Sequence, residues 1–296
     1  MTKNSNYLFS FGLGYSAISL DRLLNKNQWA HNGTKRTASS SNYLFDGHSP
    51  LLSANKILNK ATHILITIPP NSLYGDPVLF HHKQQLANLK HLTWIGYLST
   101  TGVYGDTKGQ KANESWPTNP TSTRSQLRRN AEQDWIKISE KYDLPLHIFR
   151  LPGIYGPGRS ALDQLRSGKA KRIIKKNHQF SRIHVDDIAN CLLKSMNNPK
   201  AGEIYNVCDD EPAAPELVIS FAAELLRIPP PPRIQFDKAK LEMSEMALSF
   251  WSDNRTIDNS HMKQSLDLKL KHATFRDGLT AIHQLELANL KNTTDP

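Results

Sequence analysis

The sequence predicts an α/β protein built on a doubly wound parallel sheet, with a smaller C-terminal lobe on the substrate side. Three observations carry this. Short apolar runs alternate with amphipathic helical patterns up to about residue 150, as expected when helices cover both faces of a parallel sheet. The first run ends in a glycine turn that opens a helix, the local signature of a Rossmann-type unit. The length, 296 residues, allows one large domain or two intimate ones at about 150 residues per domain.

The elements follow in order. Tyr7-Leu8-Phe9-Ser10-Phe11 reads as the first strand and residues 16–24 as the helix after it. Residues 29–35 form a poorer strand, weakened by Asn32-Gly33. Residues 64–68 are almost wholly apolar, as a central buried strand should be. That run stops at Pro69-Pro70, which cannot continue a ladder. Residues 92–98 make another strand. Leu127, Ala131, Trp135, Ile138 and Tyr142 then fall on one helical stripe, and residues 146–151 return to strand.

Beyond Pro152, glycine, proline and basic residues dominate to Arg182. A helix near 186–196, a strand at 203–207, a helix near 215–226 and a final helix near 274–290 follow. The expected division is residues 1–152 for the dinucleotide-binding domain and 153–296 for the lobe. The lobe is expected to interleave with the first part and to lend it a strand and a helix.

Composition narrows the function classes. A content of 38% hydrophobic and 22% charged residues fits a folded soluble chain. The mean hydropathy is −0.52, and no run approaches the roughly 18 apolar residues of a membrane helix. After Met1-Thr2-Lys3-Asn4-Ser5-Asn6 only residues 7–11 are apolar before the glycine turn, which is not a signal-peptide pattern. Cys191 and Cys208 lie far apart without CxxC spacing and read as small buried hydrophobes. The expectation is a cytoplasmic protein with no metal.

The formal charge is +10. Arg166, Lys169, Lys171, Arg172, Lys175, Lys176 and Arg182 crowd residues 164–182 with no acid among them. Two readings stay open: a solvated basic loop, or a docking surface for a diphosphate or a nucleic-acid backbone. Only Phe180 interrupts the run, and bases are usually read by interleaved aromatics, so nucleic acid is disfavoured.

The turn Gly12-Leu13-Gly14-Tyr15-Ser16-Ala17 matches GxGxxG/A in its strand–turn–helix setting. The first glycine permits the bend, the second lets a pyrophosphate approach, and the third small residue permits close helix packing. The helix N-terminus then offers free N–H groups and a favourable dipole. At the end of the second strand stands Gly33-Thr34-Lys35-Arg36-Thr37, with no acid nearby. An acidic residue there reads the ribose hydroxyl of NAD, whereas a basic one accommodates the 2′-phosphate of NADP. Lys35 and Arg36 therefore favour NADP, Arg36 above all because its planar fork suits phosphate. Pro69 at the end of the central strand is expected to border the same cofactor.

Several further segments, in order, resemble the extended branch of the short-chain dehydrogenase/reductase superfamily, the branch of nucleotide-sugar epimerases and dehydratases. Leu98-Ser99-Thr100-Thr101-Gly102-Val103-Tyr104-Gly105-Asp106 is similar to the strand-end segment whose hydroxyl residue polarises a carbonyl, with Thr100 at that position. Leu151-Pro152-Gly153-Ile154-Tyr155-Gly156-Pro157-Gly158 resembles the loop flanking the nicotinamide, which implies cofactor contacts from Pro152, Ile154 and Tyr155. Arg182-Ile183-His184-Val185-Asp186-Asp187-Ile188-Ala189, and then Ile204-Tyr205-Asn206-Val207, resemble further markers. The resemblance covers about residues 7 to 280. It places Arg159 and Arg182 where family members contact a substrate's diphosphate, and it implies pairing of subunits through helices near 77–89 and 127–142.

The departure matters as much as the match. Active members carry a tyrosine and, four residues later, a lysine at the start of the helix before the sixth strand. Aligned on Glu132, this chain has Arg124 at the tyrosine position and Arg128 at the lysine position. Arginine stays protonated and cannot replace a phenol as an acid/base group. Arg128 can still hold a ribose. The pattern resembles the atypical, YeeZ-like members of the superfamily.

Tyr104 and Lys108 satisfy a bare Tyr-x-x-x-Lys spacing, but Gly105-Asp106 is turn chemistry and not one turn of helix. Tyr104 alone is a substitute acid or a substrate contact beside Thr100, or else a packing residue. His184 is expected to orient the loop and the helix after it, with Asp186 or Asp187 as the helix cap. Adjacent carboxylates without further ligands make a poor metal site. Two functions lead: an NADP(H)-dependent enzyme on a nucleotide-linked or phosphorylated substrate, or a non-catalytic NADP(H)-binding redox sensor. Nucleic-acid binding with a vestigial cleft is the third.

Overall fold

A computed structural model describes residues 6–37 and 39–294, without the side chains of Met246, Ser249 and residues 292–294. The segment 1–5, on which the leader-peptide reading rests, lies outside these residues.

The strands sort their side chains by the two-residue period of an extended chain. In β1 (Tyr7–Phe11), Leu8 enters one apolar layer while Phe9 and Phe11 enter the other. In β4 (His63–Ile66), Leu65 joins the first layer, and Ile64 and Ile66 the second. A strand buried on both faces is the central strand of a sheet covered on both sides.

Between and after them run α1 (Tyr15–Lys26), β2 (Ala30–Lys35), β3 (Tyr43–Leu44), α2 (Ala54–Leu58), α3 (Pro77–Ala87) and β5 (Trp94–Thr100). A single-turn 3-10 helix (Thr101–Tyr104), β6 (Lys111–Ala112), α4 (Thr123–Tyr142) and β7 (Leu146–Leu151) complete the first half. The second half contains β8 (Gly153–Tyr155), α5 (Ala161–Arg166), β9 (Arg172–Ile174), β10 (Arg182–His184), α6 (Val185–Asn197) and β11 (Ile204–Asn206). It ends with α7 (Pro215–Leu225), β12 (Arg233–Gln235), α8 (Phe236–Ala239), α9 (Glu245–Ser252), β13 (Thr256–Ile257), α10 (Ser260–Ser265) and α11 (Phe275–Thr294).

The main sheet has the order β11-β7-β5-β4-β1-β2-β3, and its strands pair in parallel. The order reverses between β1 and β4, which opens a crevice at the carboxyl ends of these strands. Strand β11, from the second half, pairs with β7, and Ala17, Leu20 and Leu24 of α1 share an apolar layer with Ile188 and Leu192 of α6. Two-stranded parallel pairs, β8 with β10, β9 with β12 and β6 with β13, hold the second half together and to the first. Its own apolar cluster joins Tyr155, Leu162, Ile219, Ala222, Phe275 and Leu279.

Two departures from the sequence reading have simple causes. The central strand ends at Ile66: Thr67 still donates its N–H to the Phe11 carbonyl at 3.0 Å, but its hydroxyl is drawn to the Gly12 carbonyl at 2.7 Å, at the glycine turn. Elements such as β8, β9, β10 and α5 lie in the glycine- and basic-rich stretch, where runs of three to six residues are too short to show a period. No helix among the described residues is long and apolar enough to cross a membrane.

Candidate cofactor and reaction site

The crevice begins at the glycine turn. Gly12 has φ +100°, and a Cβ there would collide with Thr67 Oγ1, so the bend requires glycine. Its N–H donates to Thr34 Oγ1 at 2.9 Å and the Leu13 N–H to the Thr34 carbonyl at 2.8 Å, which braces the turn on β2. Gly14 differs: its φ is −91°, and a Cβ there would meet nothing within 4 Å. Gly14 is the N-cap of α1, and no side chain caps the helix. The N–H groups of Gly14, Tyr15, Ser16 and Ala17 have no acceptor among the described residues. Ala17 is fully buried, as close helix packing demands. Orphan amides, a positive dipole end and an open approach at Gly14 fit a dinucleotide pyrophosphate.

Lys35 ends β2 and Arg36 follows it, both exposed. Asp21 faces Lys35 but bonds His31 at 3.2 Å. Arg36 has no ion pair among the described residues and is the freer cation. Pro69 is exposed three residues past β4, and Pro152 and Ile154 are half-buried after β7. A cavity of about 1080 Å³ contains none of these residues. It is lined by Tyr7, Tyr43, Phe45, Leu51 and Ile57, beside strands β2 and β3, whose connection (residues 36–42) is too short to form a covering helix.

On the reaction side, Thr100 closes β5, and its Oγ1 accepts the Gly102 N–H at 3.1 Å, leaving the hydroxyl proton free to donate. Arg124 lies in the first turn of α4, exposed and without a partner among the described residues. Arg128, one turn on, is turned inward. Its Nη1 donates to Tyr97 Oη at 3.1 Å and to the Leu98 carbonyl at 2.8 Å, and the guanidinium lies 5.4 Å from the Tyr97 ring centre.

Tyr104 is not in the crevice. Only 1% of it is exposed; its hydroxyl donates to Asn206 Oδ1 at 2.7 Å and accepts from Arg150 Nη1 at 2.9 Å. Burial pushes its pKa up despite the adjacent guanidinium. Arg150 in turn meets the buried carboxylate of Glu132 at 2.8 Å. The substitute-acid reading of Tyr104 therefore gives way to the packing one. Tyr155 is similarly inward, with its hydroxyl donating to the Thr274 carbonyl at 3.3 Å and its ring edge-to-face on His184. Burial pushes that phenol up as well. It anchors α11 and has no free hydroxyl for a nicotinamide.

Arg182 is interior too. Its guanidinium donates to the Ala213 carbonyl at 3.2 Å and lies 5.5 Å from the Phe275 ring centre. Burial pulls its pKa down, and burial also raises Asp209, opposite, to about 8. Arg182 is thus half-buried in the lobe, with its Nη2 engaged by the Ala213 carbonyl. Arg159 is exposed, 5.8 Å from the Tyr15 ring centre.

The basic stretch finds its acids far away in sequence. Arg166 pairs with Glu286 at 2.6 Å, Lys171 with Glu242 at 3.3 Å and Arg172 with Glu216 at 3.6 Å. Lys175 bonds the Trp251 carbonyl and lies over Phe236. Lys169 and Lys176 alone in this run are exposed without a partner among the described residues. Pairing leaves little free charge here for a polyanion.

His184 caps α6, its Nδ1 accepting the Asp186 N–H at 3.1 Å, which puts the proton on Nε2 in the neutral ring. The cap expected of Asp186 or Asp187 is thus made by the histidine. Asp187 instead accepts the N–H groups of Lys271 and His272 at 2.6 and 3.0 Å, and Asp186 pairs with Lys271 at 3.0 Å. His184, Asp187 and His272 place donor atoms within 4.8 Å of one another, but the His184 Nδ1 and both Asp187 oxygens are engaged by backbone amides.

Burial lowers His184 from 6.5 to about 4. Between these values the unfolded chain binds the proton and the folded one does not. The stabilisation is therefore complete above pH 6.5 and is lost as pH falls towards 4. His184→Asn keeps a capping acceptor and removes this titration. The stability advantage of wild type over the variant should shrink by roughly 2–3 kcal/mol from pH 7 to pH 4 in denaturant titrations. A pH-independent difference would remove the assignment.

Sequence reasoning missed the Glu132–Arg150–Tyr104–Asn206 network, the Arg128–Tyr97 contact and the bond from the Tyr15 hydroxyl to the Pro157 carbonyl at 3.0 Å. Each joins residues at least 18 positions apart, so no local spacing announces it.

A parallel sheet with a reversal crevice, an uncapped glycine-turn helix and a hydroxyl at the end of β5 make up a Rossmann-like fold. Residues 85–208 match the model of the NAD dependent epimerase/dehydratase family. The chain is similar to that family over this segment. It is 28% identical over 239 residues to protein YeeZ of Escherichia coli K12, covering 74% of this chain and 84% of that protein. A solved structure of a functionally unknown conserved protein from Silicibacter pomeroyi is 43% identical, covers 95% of this chain and 99% of that one, and superposes with a TM-score of 0.86. The dTDP-glucose 4,6-dehydratase of Bacillus anthracis in complex with NAD shares the fold at 18% identity and TM-score 0.73, covering 97% of each chain.

Proposed function

We propose that this protein binds NADP(H) and acts on a nucleotide-linked or phosphorylated substrate without the tyrosine–lysine pair of the active family. The observation that carries the cofactor half is the sequence of free groups along one crevice. Four unaccepted amides stand at the start of α1, and the unpaired Arg36 stands beyond β2 where no acid is available for a ribose hydroxyl. The bound nicotinamide would supply hydride chemistry. Thr100 donates its free proton to a substrate carbonyl oxygen. Arg124, exposed in the first turn of α4, offers a fixed positive charge to developing negative charge on the substrate, but it cannot carry a proton at neutral pH. The substrate class is inferred from relatives such as the dTDP-glucose dehydratase.

A second reading has its own observation. With Arg124 at the tyrosine position and Tyr104 sealed inside, neither residue offers Thr100 an acid/base group. That favours a protein that binds NADP(H) and reports on it without turnover. NADPH oxidation in the presence of nucleotide sugars supports the enzyme; tight binding with no oxidation supports the sensor.

Calorimetric titration with NADPH and NADH tests the cofactor. The wild type should prefer NADPH, and Arg36→Glu should weaken NADPH by about 10- to 100-fold, the worth of a charge-assisted phosphate contact, while leaving NADH nearly unchanged. Equal loss of both cofactors would remove Arg36 from the 2′-phosphate.

A further inference from the structure

The loop after β8 is docked on the first turn of α1 by one side chain. The Tyr15 hydroxyl donates to the Pro157 carbonyl at 3.0 Å. Gly156 has φ +158° and no room for a side chain: a Cβ there would lie 2.5 Å from that same hydroxyl and 2.7 Å from Val185 Cγ1. The loop is therefore seated on Tyr15, the first residue of α1, whose own N–H has no acceptor among the described residues.

Seating the loop has a consequence for charge. Arg159 comes to lie 5.8 Å from the Tyr15 ring centre, exposed, with no ion pair among the described residues. The neighbouring acids are engaged elsewhere. Asp163 accepts from the Ser160 N–H and hydroxyl at 2.8 and 2.5 Å in a capping box. Asp186 pairs with Lys271 at 3.0 Å. An unpaired guanidinium is thus held at the ring of Tyr15, whose helix opens with the orphan amides.

We infer that Arg159 binds the cofactor's pyrophosphate from the side opposite the α1 amides, with Tyr15 as the residue that positions it. This rests on the dinucleotide reading above and deepens it. Backbone amides supply hydrogen bonds and a partial charge, whereas a pyrophosphate carries two full negative charges. A guanidinium supplies the compensating charge in a fork that fits phosphate oxygens. Arg159 is then a cofactor residue, distinct in role from Arg36. Arg36 meets only the 2′-phosphate, so its loss discriminates between the two cofactors. Arg159 meets what NADH and NADPH share, so its loss weakens both alike.

The test is calorimetric titration of NADPH and NADH into the full chain and into Arg159→Met, Arg159→Lys and Tyr15→Phe, with thermal melts to confirm folding. Arg159→Met should weaken both cofactors by the same factor, about tenfold, and flatten the salt dependence of binding. Arg159→Lys should recover part of the loss. Tyr15→Phe keeps the ring and removes the bond to Pro157, and should weaken both cofactors by about two- to fivefold. Unchanged affinity in a folded Arg159→Met protein overturns the inference and leaves the dinucleotide reading standing. A loss confined to NADPH also overturns it, moving Arg159 to the 2′-phosphate. If the wild type binds neither cofactor, the dinucleotide reading fails and this inference falls with it.

Discussion

Arg150→Met should be among the most destabilising single substitutions in the protein, costing about 3–5 kcal/mol in a urea titration. The reason is what it leaves behind. The Glu132 side chain is 3% exposed and the Arg150 side chain 5%, and the guanidinium reaches the carboxylate through Nε and Nη2. Its remaining Nη1 donates to Tyr104 Oη and the Glu114 carbonyl. Removing it strands a buried carboxylate and takes a donor from a buried phenol at once. The double variant Glu132→Leu/Arg150→Met removes both charges and should recover much of the loss. A cost below about 1 kcal/mol for the single variant would show that the pair is solvated in solution.

The network has a place in the architecture. Arg150 lies on β7, Glu132 on α4, Tyr104 in the 3-10 turn after β5, and Asn206 on β11, whose N–H donates to Glu114 Oε1 at 2.8 Å. One guanidinium therefore ties the helix that carries Arg124 to the strand end that carries Thr100. The destabilised variant should also bind substrate-side ligands more weakly at temperatures where it is still folded.

Gly14→Ala should separate binding from folding. Gly14 already has a backbone conformation open to any residue, and a Cβ there meets nothing within 4 Å. The variant should keep its stability to within about 1 kcal/mol, the difference between glycine and alanine at a helix N-cap. Its methyl group would occupy the approach that a pyrophosphate needs, and NADPH affinity should fall by more than about tenfold. Gly12→Ala makes the contrast. There φ is +100° and the Cβ collides with Thr67 Oγ1, the hydroxyl that braces the Gly12 carbonyl, so stability and binding should fall together. Undiminished NADPH binding by Gly14→Ala would mean that the phosphates do not pass this turn.

Much of the scaffold was legible because its causes are local. Residues 7–11 and 146–151 were read as strands with the bounds they have in the structure, since alternation and apolar runs survive in a linear text. The helix stripe through Ala131 and Trp135 was legible for the same reason: a period near 3.6 requires one buried face. The glycine turn was legible as a strand–turn–helix unit from its spacing alone. The short pairs β6–β13 and β9–β12 were not legible, because a strand of two or three residues has no period and its partner lies more than 50 positions away.

Side-chain roles divided along the same line. The residue types of the candidate site, Arg124 among them, stand in the sequence, and so do the basic excess and the absence of an acid after β2. Only the tertiary structure decided which of these groups is free. It turned Tyr104, Tyr155 and Arg182 inward, paired Arg166, Lys171 and Arg172 with Glu286, Glu242 and Glu216, and left Arg36, Arg124 and Arg159 unpaired among the described residues. Chemistry belongs to a residue's type and is written in the sequence. Availability depends on burial and on partners brought in from distant segments, and packing alone sets those.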